Sequence, residues 1–344
     1  MKTDEKFMRE ALREARKSMG QTSPNPVVGA ILISNNRVVA RGHHRRAGLP
    51  HAEVECLRSY KRQVPKNAVL FVTLEPCSSV GRTGACTDEI VRAGVGTVVI
   101  GTTDPNPRHR GRGIEILQNA GIEVRTGVLA EECACLNEAF NKWIATGIPF
   151  VIARCGMSLD GRLTRPKREG RWITSAAARK HAQRLRSESD AILVGAETVR
   201  IDNPRLTVRG VHHFRQPMRV VMTRSGKLPG RARIFTDRQA KNTLVYRNEP
   251  LAAILADLGK KDVVSVTIEG GGSVLGHALD QRLIDKVQIY IGQILTGGGV
   301  PAFAGDGARS TSEGARLDRI SFERIGSDLC VTGYPRYATL LASE

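Results

Sequence analysis

The sequence is poor in aromatic residues, contains no long apolar run and shows no regular spacing of cysteines. Phe, Trp and Tyr together make up 4% of the 344 residues, which argues against the stacking surfaces that bind single-stranded nucleic acid. No apolar stretch approaches the length of a membrane span, and the charged first residues lack the apolar core of a signal peptide. The cysteines number seven, an odd count that does not suit a disulfide framework. We therefore expect a cytoplasmic protein with reduced thiols and no membrane partner.

Basic residues outnumber acidic ones by 52 to 34, which gives a formal net charge of +18. The excess is spread over both halves of the chain and does not form a basic tail. Such a surface favours anionic partners, which include phosphorylated small molecules, nucleotide cofactors and nucleic acid. A hydrophobic content of 41% is sufficient for buried cores, and the length suggests two domains.

Strand-like and helix-like segments alternate along the whole chain, which is typical of layered α/β domains. In the first half we predict strands over 27–33, 37–41, 68–74, 96–102 and 122–126, and helices over 51–60, 87–93, 113–120 and 130–145. A further helix is predicted before Gly20, because Met8, Leu12, Ala15 and Met19 recur at helical spacing. In the second half we predict strands over 150–155, 191–195, 219–222, 263–268, 286–292 and 329–334, and helices over 175–187 and before Leu279. Thr146-Gly147-Ile148-Pro149 marks the boundary. The predicted domains are therefore 1–147 and 148–344.

One histidine, one glutamate and two cysteines of the first half form a candidate metal site. An imidazole and two thiolates suit zinc, and a catalytic zinc site leaves its fourth position to water. Bound zinc lowers the pKa of that water toward neutrality. Glu53 lies two residues after His51, and its carboxylate can pass the proton of the water to a leaving amine. We predict His51, Cys77 and Cys86 as metal ligands and Glu53 as the catalytic residue.

The same residues also allow two other interpretations. A purely structural zinc site needs a fourth protein ligand, and Cys56 is the nearest candidate, although its place on a helix favours inward packing. A nucleic-acid deaminase would share the His-x-Glu pair, but its signature has Cys-x-x-Cys. In this chain eight residues separate Cys77 from Cys86.

Over 1–147 the sequence resembles the deaminase half of the bifunctional deaminase/reductase family of riboflavin biosynthesis. The matching segments, in order, are SPNPVVGA, GHHRRAGLPHAEV, VTLEPCSSVGRTGAC and DPNP…GRG. The resemblance implies a cytidine-deaminase-like, three-layer α/β/α domain that removes ammonia hydrolytically from an aminopyrimidine. It also implies substrate contacts at Asn25, His44 and Ser79. The family usually has His in place of Ser79 and Pro-Pro in place of Gly84-Ala85.

The second half lacks a GxGxxG motif after an early strand, so we do not expect a conventional Rossmann domain. A glycine-rich turn, Glu269-Gly270-Gly271-Gly272-Ser273, does lie between a predicted strand and helix, where free backbone N–H groups can bind phosphate. The region resembles the reductase half of the same family through GMSLDGRLT, RWITS, RLRSESDAILVGAETVRIDNPRLTVR, VTIEGGGSVLGHALD and DKVQIYIGQILTGG. That resemblance implies a dihydrofolate-reductase-like α/β fold and NADPH as the cofactor.

The same resemblance assigns two sets of residues in the second half. The implied cofactor contacts are Gly156, Trp172, Thr198, Asp202, Gly271, Gly272, Ser273, Val274, Leu275, Gly276 and His277. The implied substrate contacts are Gly170, Arg186, Leu206, Arg209 and Glu269. The two arginines suit a ribose phosphate, because guanidinium groups bind phosphate through paired hydrogen bonds.

Two departures from the family pattern concern basic residues of this half. Arg154 stands where the family often has Lys, and Thr223-Arg224 replaces an Asp-Ser-like pair at a cofactor contact. One hypothesis is that Arg224 pairs with the 2′-phosphate of NADPH.

Together these patterns predict one chain that catalyses two successive steps of riboflavin biosynthesis. The first is zinc-dependent hydrolytic deamination of 2,5-diamino-6-(5-phosphoribosylamino)pyrimidin-4-one, and the second is NADPH-dependent reduction of the ribosyl side chain to ribityl. We expect a small-molecule phosphoribosylaminopyrimidine as partner, no nucleic acid, and a homo-oligomer as the resemblance implies. Two alternatives stay open: a nucleic-acid (transfer RNA) deaminase, and a deaminase joined to a non-catalytic C-terminal binding domain.

Overall fold

The computed structural model describes residues 2–78, 84–164 and 172–338. The chain divides into two compact units, Met1–Gly147 and Ile148–Glu344. Two of the predicted substrate contacts, Ser79 and Gly170, lie outside the described residues. Within the described ranges, no helix combines the length and apolar character needed to cross a membrane.

In the described part of unit 1, the helices are α1 (Lys2–Arg16), α2 (Ala52–Ser59), α3 (Cys86–Ala93), α4 (Arg112–Asn119), α5 (Ala130–Leu136) and α6 (Glu138–Thr146). The strands are β1 (Gly29–Ser34), β2 (Arg37–His43), β3 (Val69–Leu74), β4 (Thr97–Thr102) and β5 (Glu123–Thr126). They form one sheet of order β2-β1-β3-β4-β5. Strand β1 runs antiparallel to both of its neighbours, whereas β3, β4 and β5 are parallel.

Helices cover both faces of this sheet, because alternate residues of its central strands are apolar on both sides. On β1, Ala30 and Leu32 pack in one core cluster with residues of α2, α3 and α4. Ile31 and Ile33 pack in the other cluster with residues of α1 and α5. Strands that are buried on both faces have nearly continuous apolar sequences, as β1 and β3 do. The predicted three-layer α/β/α fold is thus confirmed.

The closing helix of unit 1 differs from the prediction. A single helix was expected over 130–145, but the structure has α5 and α6, separated at Asn137. Asn137 has φ −115° and ψ 24°, outside the helical range. Apolar spacing predicted correctly that these residues are helical, but it carried no signal for the break at Asn137.

In the described part of unit 2, the strands are β6 (Phe150–Ser158), β7 (Ala191–Gly195), β8 (Met218–Thr223), β9 (Thr243–Arg247), β10 (Ser265–Ile268), β11 (Lys286–Gly292), β12 (Arg316–Ile325) and β13 (Asp328–Arg336). The helices are α7 (Ala176–Glu188), α8 (Ala196–Asp202), α9 (Arg233–Thr236), α10 (Leu251–Lys260) and α11 (Gly272–Asp280), with a short 3-10 turn at Ala240–Asn242. The sheet order is β12-β13-β11-β6-β10-β7-β8-β9.

Most of the second sheet is parallel, and antiparallel pairing occurs at the end formed by β13 and β12. Strand β13 runs antiparallel to β11, and β12 runs antiparallel to β13, which confirms the antiparallel ending that the alternating residues of 286–292 and 329–334 predict. Both faces of the parallel part are buried. On β7, Ala191 and Leu193 pack with α10 and α11, whereas Ile192 and Val194 pack on the other face. Active sites of such sheets form beyond the carboxyl ends of the parallel strands.

All seven cysteines lie in the described part of the chain, and they differ in exposure. Cys135 is exposed, and the other six are buried or half-buried. Burial raises the pKa of the Cys56, Cys133 and Cys155 thiols to about 12. The expected inward packing of Cys56 is confirmed, since this residue of α2 is fully buried in the core of unit 1.

Candidate active sites

The predicted metal ligands of unit 1 lie together, each at the end of a helix or strand. His51 precedes α2 as its N-cap residue, Cys77 follows β3 and Pro76, and Cys86 is the first residue of α3. The Nδ1 atom of His51 is 3.4 Å from the Sγ atom of Cys77 and 3.2 Å from that of Cys86. All three donor atoms lie within 4.8 Å of one another.

The spacing of these donor atoms fits a zinc ion. Tetrahedral bonds of about 2.0 Å to nitrogen and about 2.3 Å to sulfur place the ligand atoms about 3.5 Å apart. Without a cation the pKa values of the two thiols differ strongly. The contact with Cys86 lowers the pKa of Cys77 to about 4, and the contact with Cys77 raises the pKa of Cys86. A divalent cation would stabilise both as thiolates.

Glu53 lies in the first turn of α2, and its side chain is 3% exposed. Burial raises the pKa of its carboxyl to about 7. A carboxyl that can gain and lose a proton near neutral pH suits general acid–base catalysis. The position of α2 depends on Gly42 of β2, because a Cβ there would lie 2.3 Å from the backbone nitrogen of Cys56.

Two further predicted residues, Asn25 and His44, lie beside the metal ligands. The Nδ1–H of His44 donates to the carbonyl of Pro50 at 3.1 Å, and its Nε2 accepts from the Asn25 amide at 3.1 Å. This tautomer is the one that satisfies both partners, and burial lowers the pKa of His44. The rings of His44 and His51 meet edge to face, with centroids 5.1 Å apart.

A buried carboxylate next to the second ligand organises the neighbouring loop. Glu75, two residues before Cys77, accepts hydrogen bonds from four backbone N–H groups. The donors are Asp104, Gly111, Gly113 and Ile114, at 3.0, 3.1, 3.0 and 3.4 Å. The DPNP…GRG segment is therefore fixed against the end of β3 that carries Cys77. Sequence reasoning did not assign this role to Glu75, although an acidic residue directly after a buried strand was a usable signal.

In unit 2, three charged side chains meet at the carboxyl end of β10. Arg186 of α7 donates to Glu269 from Nε at 3.0 Å and also from Nη2. Arg154 of β6 lies with Nη1 2.9 Å from the same carboxylate. The structure therefore brings together the predicted residues Arg186 and Glu269. It adds Arg154, which the sequence marked only as a replacement of the Lys that the family often has.

The segment that carries Leu206 and Arg209 is held against α7. Arg186 donates from Nη1 to the carbonyl of Thr207 at 2.9 Å, and Arg209 donates from Nη1 to the Thr207 hydroxyl at 3.2 Å. The backbone N–H of Arg209 donates to the side chain of Gln183 at 3.0 Å. Leu206 is buried and has φ 52°, which is unusual for a residue other than glycine. Arg209 is exposed, and it shares Thr207 as a hydrogen-bond partner with Arg186.

The glycine-rich turn before α11 approaches α8 closely. Gly271 is the N-cap residue of α11 and has φ 42°. None of the side chains that the structure describes caps the start of α11. A Cβ on Gly270 would lie 3.1 Å from the Thr198 hydroxyl. Such a turn leaves backbone N–H groups that can bind the phosphates of a dinucleotide. Leu275, however, is buried in the core, so its side chain does not face a cofactor.

Among the other predicted cofactor contacts, Gly276 is buried, and a Cβ there would lie 2.2 Å from the backbone nitrogen of Gly305. The contacts outside the glycine-rich turn are more exposed. Gly156 lies in β6, where a Cβ would be 3.0 Å from the side chain of Thr174. Trp172 is half exposed, and the Arg179 guanidinium lies 4.8 Å from the centroid of its ring. Asp202 ends α8, and Arg224 follows β8; both are exposed. Their roles toward NADPH stay predictions.

Two family models match successive parts of the chain. A model of the cytidine and deoxycytidylate deaminase zinc-binding region matches residues 1–102. A model of the RibD C-terminal domain matches residues 149–331.

Several curated relatives and solved structures are similar over nearly the full length. The riboflavin biosynthesis protein RibD of Aquifex aeolicus is 36% identical over 349 residues, which cover 95% of this chain and 97% of the relative. RibD of Mycobacterium tuberculosis is 36% identical over 338 residues, with coverages of 96% and 97%. The structure of Acinetobacter baumannii RibD, form 1, is 33% identical with a TM-score of 0.90, and the match covers 97% of this chain and 99% of that chain. A Thermotoga maritima diaminohydroxyphosphoribosylaminopyrimidine deaminase/5-amino-6-(5-phosphoribosylamino)uracil reductase is 34% identical with a TM-score of 0.87 and the same coverages.

Proposed function

The chain belongs to the RibD family of riboflavin biosynthesis proteins, and on this premise we propose which reaction each of its two units catalyses. Residues 1–147 deaminate 2,5-diamino-6-(5-phosphoribosylamino)pyrimidin-4-one, with Zn²⁺ as the cofactor. Residues 148–344 then reduce the ribosyl side chain of the product to ribityl, with NADPH as the cofactor. The observation that carries the proposal is the cluster of His51, Cys77 and Cys86 with a buried Glu53 beside it.

In the deaminase, the protein residues move one proton and orient the ring. His51 and the two cysteines would hold the zinc ion, which would lower the pKa of a bound water toward neutrality. The Glu53 carboxylate accepts a proton and later donates it to the amino group that leaves as ammonia. The Asn25 amide and the His44 ring, whose hydrogen bonds fix their orientation, contact the pyrimidine.

In the reductase, the protein residues hold the substrate while NADPH supplies the hydride. Three N–H groups of Arg186 are already used by Glu269 and Thr207. We propose that Arg186 mainly orients Glu269 toward the substrate, and that the exposed Arg209 binds the ribose phosphate by charge-assisted hydrogen bonds.

We also propose a cytoplasmic homo-oligomer that acts on small molecules and not on nucleic acid. A groove of 470 Å³ on unit 2 is lined by Leu159, Leu295 and Leu329, and these exposed leucines suit contact with a second copy. Light scattering should then give a mass above that of one chain, and a monomer at micromolar concentration would contradict the proposal.

One incubation tests the function of both units. Purified protein is mixed with the phosphoribosylaminopyrimidine, with and without NADPH, and ammonia and nicotinamide absorbance are followed. We expect ammonia in both samples and oxidation of NADPH in one. Glu53→Gln should lower the rate of ammonia release by about 10²–10⁴-fold and should spare reduction of the deaminated intermediate when that is supplied.

The outcomes separate the alternatives. Ammonia release without NADPH oxidation would indicate a non-catalytic second unit. Activity on transfer RNA, together with none on the pyrimidine, would indicate a nucleic-acid deaminase. Full activity of Glu53→Gln would overturn the assignment of the catalytic residue. The matched control is Glu55→Gln, a half-buried residue of the same helix that pairs with Arg45 at 3.3 Å.

A further inference from the structure

Asn137, at the break between α5 and α6, makes a contact that the function described so far does not use. Its side chain is 4% exposed. The Nδ2 group donates to the carbonyl of Val27 at 2.8 Å, and Oδ1 accepts from the N–H of Val27 at 2.7 Å. The side-chain amide thus satisfies both backbone groups of one residue that lies 110 positions away in the sequence.

The residue held in this way belongs to the segment that carries a predicted substrate contact. Asn25 lies two residues before Val27, and its amide donates to the Nε2 atom of His44 at 3.1 Å. The carbonyl of Val28 accepts from the backbone N–H of His44 at 3.0 Å. A shift of the Val27 backbone would therefore move Asn25 and would disturb its hydrogen bond with His44.

Asn137 itself has a rigid support. Cys133, one helical turn earlier, is fully buried, and a Cβ on Gly101 of β4 would lie 2.3 Å from its Sγ atom. On the other side, the N–H of Asn141 donates to the carbonyl of Asn137 at 2.8 Å. The break in the helix thus places one amide in a fixed position next to the segment 25–28.

We propose that Asn137 is a positioning residue of the deaminase site: it fixes the backbone at Val27 so that Asn25 and His44 meet the pyrimidine in the correct orientation. The inference rests on the proposed deaminase function. A residue that acts through others in this way changes substrate binding, because even small misplacement of contact groups weakens the productive complex.

The test compares Asn137→Ala and Asn137→Gln with Asn141→Ala. The last variant removes a side-chain bond to Ala134 within the same helix junction and leaves Val27 untouched. We expect Asn137→Ala to raise the KM for the pyrimidine about tenfold or more, with a smaller change in kcat. Zinc content and the reductase constants, measured with supplied intermediate, should stay at wild-type values. Asn137→Gln should be intermediate, and Asn141→Ala should match the wild type.

A double-mutant cycle with Asn25→Ala distinguishes positioning from general stabilisation. If Asn137 acts through Asn25, then Asn137→Ala should raise the KM little further in the Asn25→Ala background. Independent, multiplicative effects on KM would overturn the proposal, and so would a wild-type KM in Asn137→Ala. If Asn137→Ala does not fold, Asn137→Gln decides: a raised KM supports the inference and a wild-type KM overturns it. Absence of ammonia release from the wild-type protein would instead contradict the proposed function.

Discussion

Replacing Glu269 with glutamine should destabilise unit 2 by about 3 kcal/mol at neutral pH. Burial of Glu269 opposes its ionisation, but Arg186 and Arg154 outweigh this and lower its pKa from 4.5 to about 2. A difference of about 2.5 units between unfolded and folded states corresponds to about 3 kcal/mol. Breaking a buried ion pair by removal of one partner costs a similar amount, about 3–5 kcal/mol, because the remaining charges are left uncompensated.

The sign of the pH dependence follows from the lowered pKa. The carboxylate stabilises the folded state fully above the unfolded pKa of 4.5, and this contribution is lost as pH falls through the folded value. The difference in the free energy of unfolding between the wild type and Glu269→Gln should therefore be constant from about pH 8 to about pH 5.5. Below that range it should shrink.

Tryptophan fluorescence can follow the urea unfolding of unit 2 alone, because each unit contains one tryptophan. In a Trp143→Phe background, fluorescence reports Trp172 of unit 2. The matched control is Glu323→Gln, which removes the same charge from an exposed position on β12 and should cost less than about 0.5 kcal/mol. A Glu269→Gln variant within about 1 kcal/mol of its parent, or a difference that grows as pH falls, would refute the reasoning.

Two further predictions concern the cofactors. Dialysis against a chelator should abolish ammonia release and leave reduction of the supplied intermediate unchanged, and added Zn²⁺ should restore the first activity; parallel loss of both activities would contradict separate sites. Arg224→Ala should raise the KM for NADPH about tenfold relative to the KM for NADH, because a guanidinium pairs with the 2′-phosphate that NADH lacks. An unchanged ratio would reject that pairing, and Arg231→Ala, exposed in the loop after β8, is the control.

The sequence was most informative where chemistry requires particular residue types at element ends. His51, Cys77 and Cys86 were recognised from their order and their neighbours, and the structure brings their donor atoms together. Helix α7 was predicted from Ser175 onward, and the Ser175 side chain caps its start by accepting a hydrogen bond from the N–H of Ala178 at 3.3 Å. Such features are local, so a linear sequence contains them.

The sequence was least informative where long-range contacts decide the structure. Nothing local indicates that Asn137 leaves the helix to bind Val27, because the partner is distant in sequence. Strand β12 was missed because most of its residues are exposed, which removes the apolar alternation used to identify strands. Helix α10 was also not predicted, although Leu251, Ile254, Leu255 and Leu258 recur at helical spacing.

Because the cysteines differ in exposure, the number that react with a thiol label depends on whether zinc is bound. With zinc in place, a maleimide dye has one exposed target, Cys135, since burial holds the pKa of Cys56, Cys133 and Cys155 at about 12. Once the metal is stripped, Cys77 is half-buried with a pKa of about 4 and becomes a second nucleophile at neutral pH. The number of dyes attached per chain would thus report metal occupancy without any mutation.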